Sequence, residues 1–213
     1  MMLIYYDLEQ RSPAWHAMRV RPTASNFDRL ITAGGKPSAS ANDYIAEILA
    51  AHYGIYKLSF ESPAMAAGTR LEPDARAAYE FITGAEIRQA GFVVVDGSPF
   101  SPGCSPDGLI GDDGGLEIKC PEPWNHLATV ISGTMPDKYR PQVQGSMFVT
   151  GRQWWDFVSY CPGYNTDGAW VALPMRLQTI IVRQLRDNEY IEKLGATVLA
   201  ASQALIKLTN NDF

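Results

Sequence analysis

Apolar residues recur along this chain with two periods, and each period predicts a different element. Helical spacing puts Tyr44, Ile45, Ile48 and Leu49 on one face of a helix over residues 43–52, which Gly54 stops. Ser12 followed by Pro13 predicts a helix start, with Ser as cap and Pro in the first turn, running through Trp15 to about Arg19. Thr23 to Ser25 offers a second cap before Phe27, Leu30 and Ile31, again at helical spacing. The Ala-rich stretch 63–83 is helical and ends at Gly84. Pro73 lies inside it, so a helix either begins near there or bends there, directly after Glu72. Residues 124–131 and 139–149 read as helices, and 177–208 as a long helical tail interrupted near Gly195. Strands are predicted at 91–96, around Asp107 and Glu117, at 153–160 and at 169–173. This succession predicts an α/β or α+β layered fold. It divides into an N-terminal helical part over about 1–60, a core over about 61–175 and C-terminal helices over about 177–208, all within one domain spanning 1–213.

Residues 101–121 add chemistry to that pattern. Along the strand around Glu117 successive side chains alternate, so Glu117 and Lys119 point one way while Leu116, Ile118 and Cys120 point the other. Asp112, Asp113, Gly114 and Gly115 favour a tight turn that folds the Asp107 segment back beside this strand. Two carboxylates and one ammonium then converge. Carboxylate oxygens suit hard divalent cations, and a lysine beside them can orient or deprotonate an attacking water, the equipment of a magnesium-dependent phosphodiesterase. The plain alternative is a surface strand whose exposed Glu and Lys form a weak pair. Against it stand the Pro106 and Gly108 that fix the backbone around Asp107, and the apolar flanks that make the strand central. The helix over 139–149 also carries Gln142 and Gln144, one of which could reach the same spot.

Composition narrows the compartment and the partner. The chain has 213 residues, 46% hydrophobic and 19% charged, ordinary for a soluble globular protein. No apolar run approaches the roughly 20 residues needed to cross a bilayer, and the start is no signal peptide. Cys104, Cys120 and Cys161 are odd in number and lack zinc spacing, which fits a reduced cytoplasm, with Cys120 an apolar filler. A net charge of −5 argues against gripping nucleic acid by charge alone, although Arg11, Arg19, Arg21, Arg29 and Lys36 make the first 36 residues comparatively basic. His16, His52 and His126 show no ligand spacing and read as packing or surface residues. The loop Gly34-Gly35-Lys36-Pro37 lacks phosphate-loop spacing and reads as a loop that could touch DNA. Trp154 and Trp155 must face opposite sides of their strand, one of them toward the core.

Taken together these segments resemble the phage-lambda-type exonuclease family, the YqaJ-like viral recombinases of the PD-(D/E)XK nuclease superfamily. The resemblance rests on Ala14-Trp15-His16 with Arg19 and Thr23-Ala24-Ser25, and on Gly68, Glu72, Asp74-Ala75-Arg76, Phe81 and Gly84. It rests further on Cys104-Ser105-Pro106-Asp107-Gly108-Leu109, on Leu116-Glu117-Ile118-Lys119-Cys120-Pro121, and on Gln142-Val143-Gln144 with Ser146-Met147 and Val149-Thr150. The spacing from Trp15 to Ser25 is one residue shorter than the family pattern. The resemblance implies a central mixed β-sheet flanked by helices, with a restriction-endonuclease-like core. It implies Asp107, Glu117 and the backbone carbonyl of Ile118 as metal ligands, and Glu72 near a second ion directly or through water. It implies Lys119 and Gln142 beside the nucleophile, and Arg19, Ser25 and Ser105 around a terminal 5′-phosphate. Between two cations and partly desolvated, Lys119 would have a lowered pKa and could act as base or as orienting donor. The implied activity is Mg2+-dependent 5′-to-3′ digestion of one strand of linear double-stranded DNA, using two ions with Mn2+ able to substitute. The implied partners are DNA ends, two further copies in a ring-shaped homotrimer and a single-strand annealing protein, with no membrane. The implied setting is a bacterial host's cytoplasm if the chain is phage-encoded. An internally cutting enzyme of the same superfamily and a non-catalytic DNA-end-binding protein are the alternatives.

Overall fold

The computed structural model describes residues 2–56, 63–95, 97–167 and 169–210, the side chains of 63–65 excepted. Strand β1 (Met2–Tyr5) leads to α1 (Pro13–Met18), a 3-10 turn at Ala24–Arg29, α2 (Ala41–His52) and α3 (Pro63–Thr83). Strands β2 (Ile87–Arg88), β3 (Phe92–Val95), β4 (Gly103–Cys104), β5 (Gly108–Ile110) and β6 (Gly114–Lys119) follow. Then come α4 (Pro123–Ser132), α5 (Arg140–Thr150), β7 (Trp154–Tyr160), the hairpin β8 (Gly163–Thr166) and β9 (Ala169–Ala172), β10 (Thr179–Leu185) and α6 (Asn188–Thr209).

A five-stranded sheet in the order β10-β7-β6-β5-β2 forms the centre, and a three-stranded sheet β1-β3-β4 stands beside it. The central sheet is mixed: β6 and β7 run parallel, the other pairs antiparallel. Alternation along its strands sorts side chains to two cores. Leu116, Ile118, Val158 and Tyr160 pack with Ala75 and Tyr79 of α3. Leu109, Trp155 and Phe157 pack on the other face with Val143 and Met147 of α5 and with Leu194 and Val198 of α6. Strand β6 therefore shows Leu116 and Ile118 to α3 and turns Glu117 toward α5, as a period of two requires. Trp155 is the tryptophan of the main core, while Trp154 lies on the α3 face beneath the Arg183 guanidinium, 3.8 Å away.

Several expectations need correction. The tail is not helical from residue 177: Thr179–Leu185 is a strand antiparallel to β7. Its Thr179-Ile180-Ile181-Val182 run is β-branched, and pairing with a central strand overrides the helical spacing. Helix α6 begins only after Asp187, whose side chain accepts from the Tyr190 N–H. It runs unbroken through Gly195, where a Cβ would come within 2.8 Å of the Phe148 ring, so this glycine serves close packing rather than interruption. The N-terminal part is not purely helical, because Met2–Tyr5 pairs with β3. Residues 24–29 form a 3-10 turn without a side-chain cap from Thr23. Helix α3 continues through Pro73. The β5–β6 turn falls earlier than expected, at residues 111–113, with Gly111 in the left-handed region (φ 49°), while Gly114 and Gly115 already belong to β6. The expected boundary near residues 60–61 and the expected strand end at Asp96 lie outside the described residues.

Candidate active site

The β5–β6 hairpin builds the floor of a cleft of about 510 Å3. Asp107 precedes β5 and is stitched across the hairpin by backbone and side chain. Its N–H donates to the Leu116 carbonyl at 3.2 Å, and its Oδ2 accepts from the Ile118 N–H at 2.6 Å. Glu117, 2% exposed, projects from β6 with its Oε1 2.6 Å from Lys119 Nζ. The same oxygen accepts from Gln142 Nε2 of α5 at 2.6 Å. Gln144 points elsewhere, donating to the Leu185 carbonyl and accepting from the Asp187 N–H, so it ties α5 to the β10–α6 link. Of the two glutamines, Gln142 is the one in the site.

Electrostatics in this floor are crowded with negative charge. Burial, then Glu117, then Glu72 push the Asp107 carboxyl well above its usual range, against the pull of Lys119 and the Ile118 N–H. The protein's own groups raise the Lys119 pKa. Burial lowers it, but Glu117 and Asp107 outweigh burial, so without cations the side chain is an ammonium donor. A bound cation would relieve the repulsion at Asp107.

Glu72 reaches the cleft from α3 but is already held. Arg76 Nη2 donates to its Oε1 at 2.6 Å, Arg11 lies 3.5 Å from its Oε2, and Arg76 Nε also donates to the Asp107 carbonyl at 3.3 Å. Among the described residues no three His, Cys, Asp or Glu side chains close on one point tightly enough to hold an ion by themselves. The donor set still fits a hard divalent cation. Asp107 and Glu117 offer oxygen only, and such ions complete their shell with backbone carbonyls, water and substrate phosphate.

At the other end of the cleft Trp15 organises the expected phosphate group. Its indole N–H is shared between Ser105 Oγ at 2.8 Å and the Gly91 carbonyl at 3.2 Å. The Arg19 guanidinium stacks over its ring at 4.4 Å and donates to Ser25 Oγ at 2.8 Å. Burial lowers the Arg19 pKa against the pull of Tyr44, and the half-buried guanidinium lines the cleft. Arg19, Ser25, Ser105, Glu72, Asp107, Glu117, Ile118, Lys119 and Gln142 therefore all line one cleft.

Sequence reasoning assigned no site role to Arg11, Arg76 or Tyr139. The Glu72–Arg76 spacing of four on a helix was the legible signal for Arg76. Tyr139, which lines the cleft, and Arg11, which reaches it from a left-handed backbone (φ 69°), left no comparable mark. Cys120 packs partly against the α3 core but also lines the cleft. The 34–37 loop lies against Tyr190 and Lys193 of α6, away from the cleft. His126 is fully buried between Ser159 and the Leu177 carbonyl, a packing role.

Residues 14–153 match the family described as the YqaJ-like viral recombinase domain. An alkaline exonuclease from Laribacter hongkongensis, LHK-Exo, is 33% identical over 94% of this chain and 98% of its own, with a TM-score of 0.74. Its complex with dAMP aligns at 34% identity over 94% of this chain and 99% of that one, with a TM-score of 0.76. A phage related exonuclease from Haemophilus somnus 129PT shares the fold at 16% identity, covering 91% of this chain and 96% of its own, with a TM-score of 0.70. No relative was found among curated proteins.

Proposed function

This chain belongs to the YqaJ-like viral recombinase family, and from that premise we propose that it is a phage-type exonuclease. In this reading it digests one strand of linear double-stranded DNA from the 5′ end in the presence of Mg2+ and leaves a 3′ single strand. One observation carries the reading: the acid–acid–lysine floor and the arginine–serine group open into the same cleft. The likeness to LHK-Exo, an alkaline exonuclease that has been seen with dAMP, supports it.

The chemistry follows from the side chains. Asp107, Glu117 and the Ile118 carbonyl, with Glu72 directly or through water, would hold two Mg2+ ions, or Mn2+ in their place, which supply charge neutralisation at the phosphodiester and an acidified water. Gln142 and Lys119 fix Glu117 from two directions, so its carboxylate is oriented before substrate arrives. As an ammonium, Lys119 donates to the attacking water or to a phosphate oxygen and positions it. Arg19, Ser25 and Ser105 take the terminal 5′-phosphate through charge-assisted and neutral hydrogen bonds, which selects ends over internal positions. Among the described residues no helix is long and apolar enough to cross a membrane. A ring-shaped homotrimer would let an acidic chain act processively by enclosing DNA rather than gripping it, and an annealing protein would receive the exposed strand.

End-labelled linear duplex tests the proposal. Asp107→Asn and Lys119→Ala should each lower the rate by at least about 100-fold, with label lost first from the 5′ terminus and covalently closed circles left intact. Near wild-type rates in both variants would end the assignment. Only monomer in sedimentation at working concentration would remove the ring.

A further inference from the structure

A second cavity, of about 390 Å3, opens beside the catalytic cleft and shares Lys119, Pro121 and Tyr139 with it. It shares none of Arg19, Ser25 and Ser105, so it leaves the cleft on the lysine side, away from the arginine–serine end. Its volume lies in the range of ligand sites. The rest of its wall sets Asn125, Thr129, Ser132 and Thr134, contributed by α4 and the turn after it, among the apolar Ala128, Pro136 and Phe157, with Lys138 also lining it. Asn125, Ser132, Thr134 and Lys138 are exposed.

Tyr139 forms the wall between the two cavities. Its ring packs on Phe157, centroids 5.1 Å apart, which fixes its position. The ammoniums of Lys119 and Lys138 lie 5.4 and 4.9 Å from its centroid. One aromatic ring thus carries two cations, Lys119, which lines both cavities, and Lys138, which lines the second. Among the described residues Lys138 forms no ion pair, so its charge is available. In a chain of net charge −5, Arg19, Lys119 and Lys138 line two cavities that share Lys119.

We infer that the digested strand, on the 3′ side of the scissile bond, passes over Tyr139 into this second cavity, where Lys138 and the side chains of Asn125 and Ser132 bind its phosphates. The inference rests on the nuclease reading above. Given a 5′-phosphate between Arg19 and Ser105 and the scissile phosphate at Asp107 and Glu117, the remainder of the strand must leave beyond Lys119. A groove lined by Lys138, Asn125 and Ser132 lies there. Nothing in it needs to read bases: exposed hydroxyls, an amide and an ammonium suit the sequence-independent backbone contacts of an enzyme that must accept every sequence.

The test is steady-state digestion of 5′-phosphorylated linear duplex across a salt series, comparing wild type with Lys138→Met, which keeps aliphatic length over Tyr139 and removes the charge. The expected result is a KM about 5-fold higher, the worth of one solvent-facing charge contact, with kcat within about twofold. The slope of log KM against log salt should become shallower by about one, since one fewer phosphate is neutralised. Lys138→Arg should restore both. An unchanged KM and salt slope would overturn the inference, as would a fall in kcat alone. Weakened inhibition by dAMP with unchanged KM would also overturn it, because the released nucleotide and not the strand would then occupy the cavity. A wild-type protein that digests no DNA would remove the nuclease reading first and this one with it.

Discussion

Trp15→Phe separates the two services that Trp15 performs. Phenylalanine keeps an aromatic face beneath Arg19 but lacks the indole N–H that is shared between Ser105 Oγ and the Gly91 carbonyl. Each lost hydrogen bond is worth about 1 kcal/mol net, and a buried carbonyl left without a donor costs about 1–3 kcal/mol. Gly91 is buried, whereas Ser105 is only half-buried and can turn to water. The stability loss should therefore be about 2 kcal/mol, or some 4–8 °C in Tm for a chain of this length. The functional effect is more specific. While the indole donates to Oγ, the Ser105 proton is left to donate to a ligand oxygen. Without the indole nothing holds the hydroxyl in that orientation, and its proton can turn to water instead. Loss of one such bond to a terminal phosphate lowers the preference for 5′-phosphate over 5′-hydroxyl ends by about 5–10-fold.

The assay is kcat/KM on two otherwise identical linear duplexes that differ only at the 5′ terminus. Trp15→Phe should reduce the phosphate preference while leaving the rate on 5′-hydroxyl ends nearly unchanged. Combining it with Ser105→Ala should add little further loss, because both changes remove the same oriented hydroxyl. Trp15→Ala should lose more, since the stacking that holds Arg19, worth about 1 kcal/mol, goes as well. If Ser105→Ala abolishes the preference and Trp15→Phe leaves it intact, the indole does not orient Ser105 and the reasoning fails.

Two further predictions concern the scaffold behind the site. Asp156, 1% exposed, accepts from Tyr79 of α3 at 2.8 Å and twice from Arg183 of β10 at 2.8 Å; because Arg183 is half exposed, Asp156→Asn should cost about 2 kcal/mol, read as a lower Tm, with no loss in an Asp156→Asn protein showing the network to be idle. His126 Nε2 must donate to the Leu177 carbonyl while Nδ1 accepts from Ser159, and burial lowers its pKa below the usual value of about 6.5. The stability it contributes is present above that value and lost as pH falls through the folded one, so the urea midpoint should drop between pH 7.5 and 5 more steeply in wild type than in His126→Gln; parallel slopes would refute it.

The hairpin that holds the acids was legible because its information is local. Alternation along β6 and a Pro-Asp-Gly bend dictate where Asp107, Glu117 and Lys119 point, whatever the rest of the chain does. The segment 179–185 was not legible, because Thr179, Ile180, Ile181 and Val182 satisfy either period and only the exposed edge of β7 decides between them. The Met2–Tyr5 strand is similar: its partner β3 lies some ninety residues away in sequence. Among the candidate residues, helical spacing left Gln142 and Gln144 equivalent, and only the family resemblance pointed to Gln142. What separates them is the orientation of α5, fixed by Val143 and Met147 in the main core and by the clasp of Gln144 on the β10–α6 link.

For Lys119, position and electrostatics rest on different information. Its position follows from strand alternation alone, but its proton affinity depends on which charges surround it. Expecting cations on both sides predicts a lowered pKa. The protein by itself supplies Glu117 at 2.6 Å and the Asp107 carboxylate, and the direction reverses. Glu117 in turn helps push the Asp107 carboxyl above its usual range, after burial. The lysine thus acts as a resident counter-ion for the acid pair. In the nuclease reading Asp107 and Glu117 would hold a divalent cation that supplies this neutralisation, and Lys119 would donate to water and phosphate. Metal binding and the release of Lys119 would then be one electrostatic event, not two.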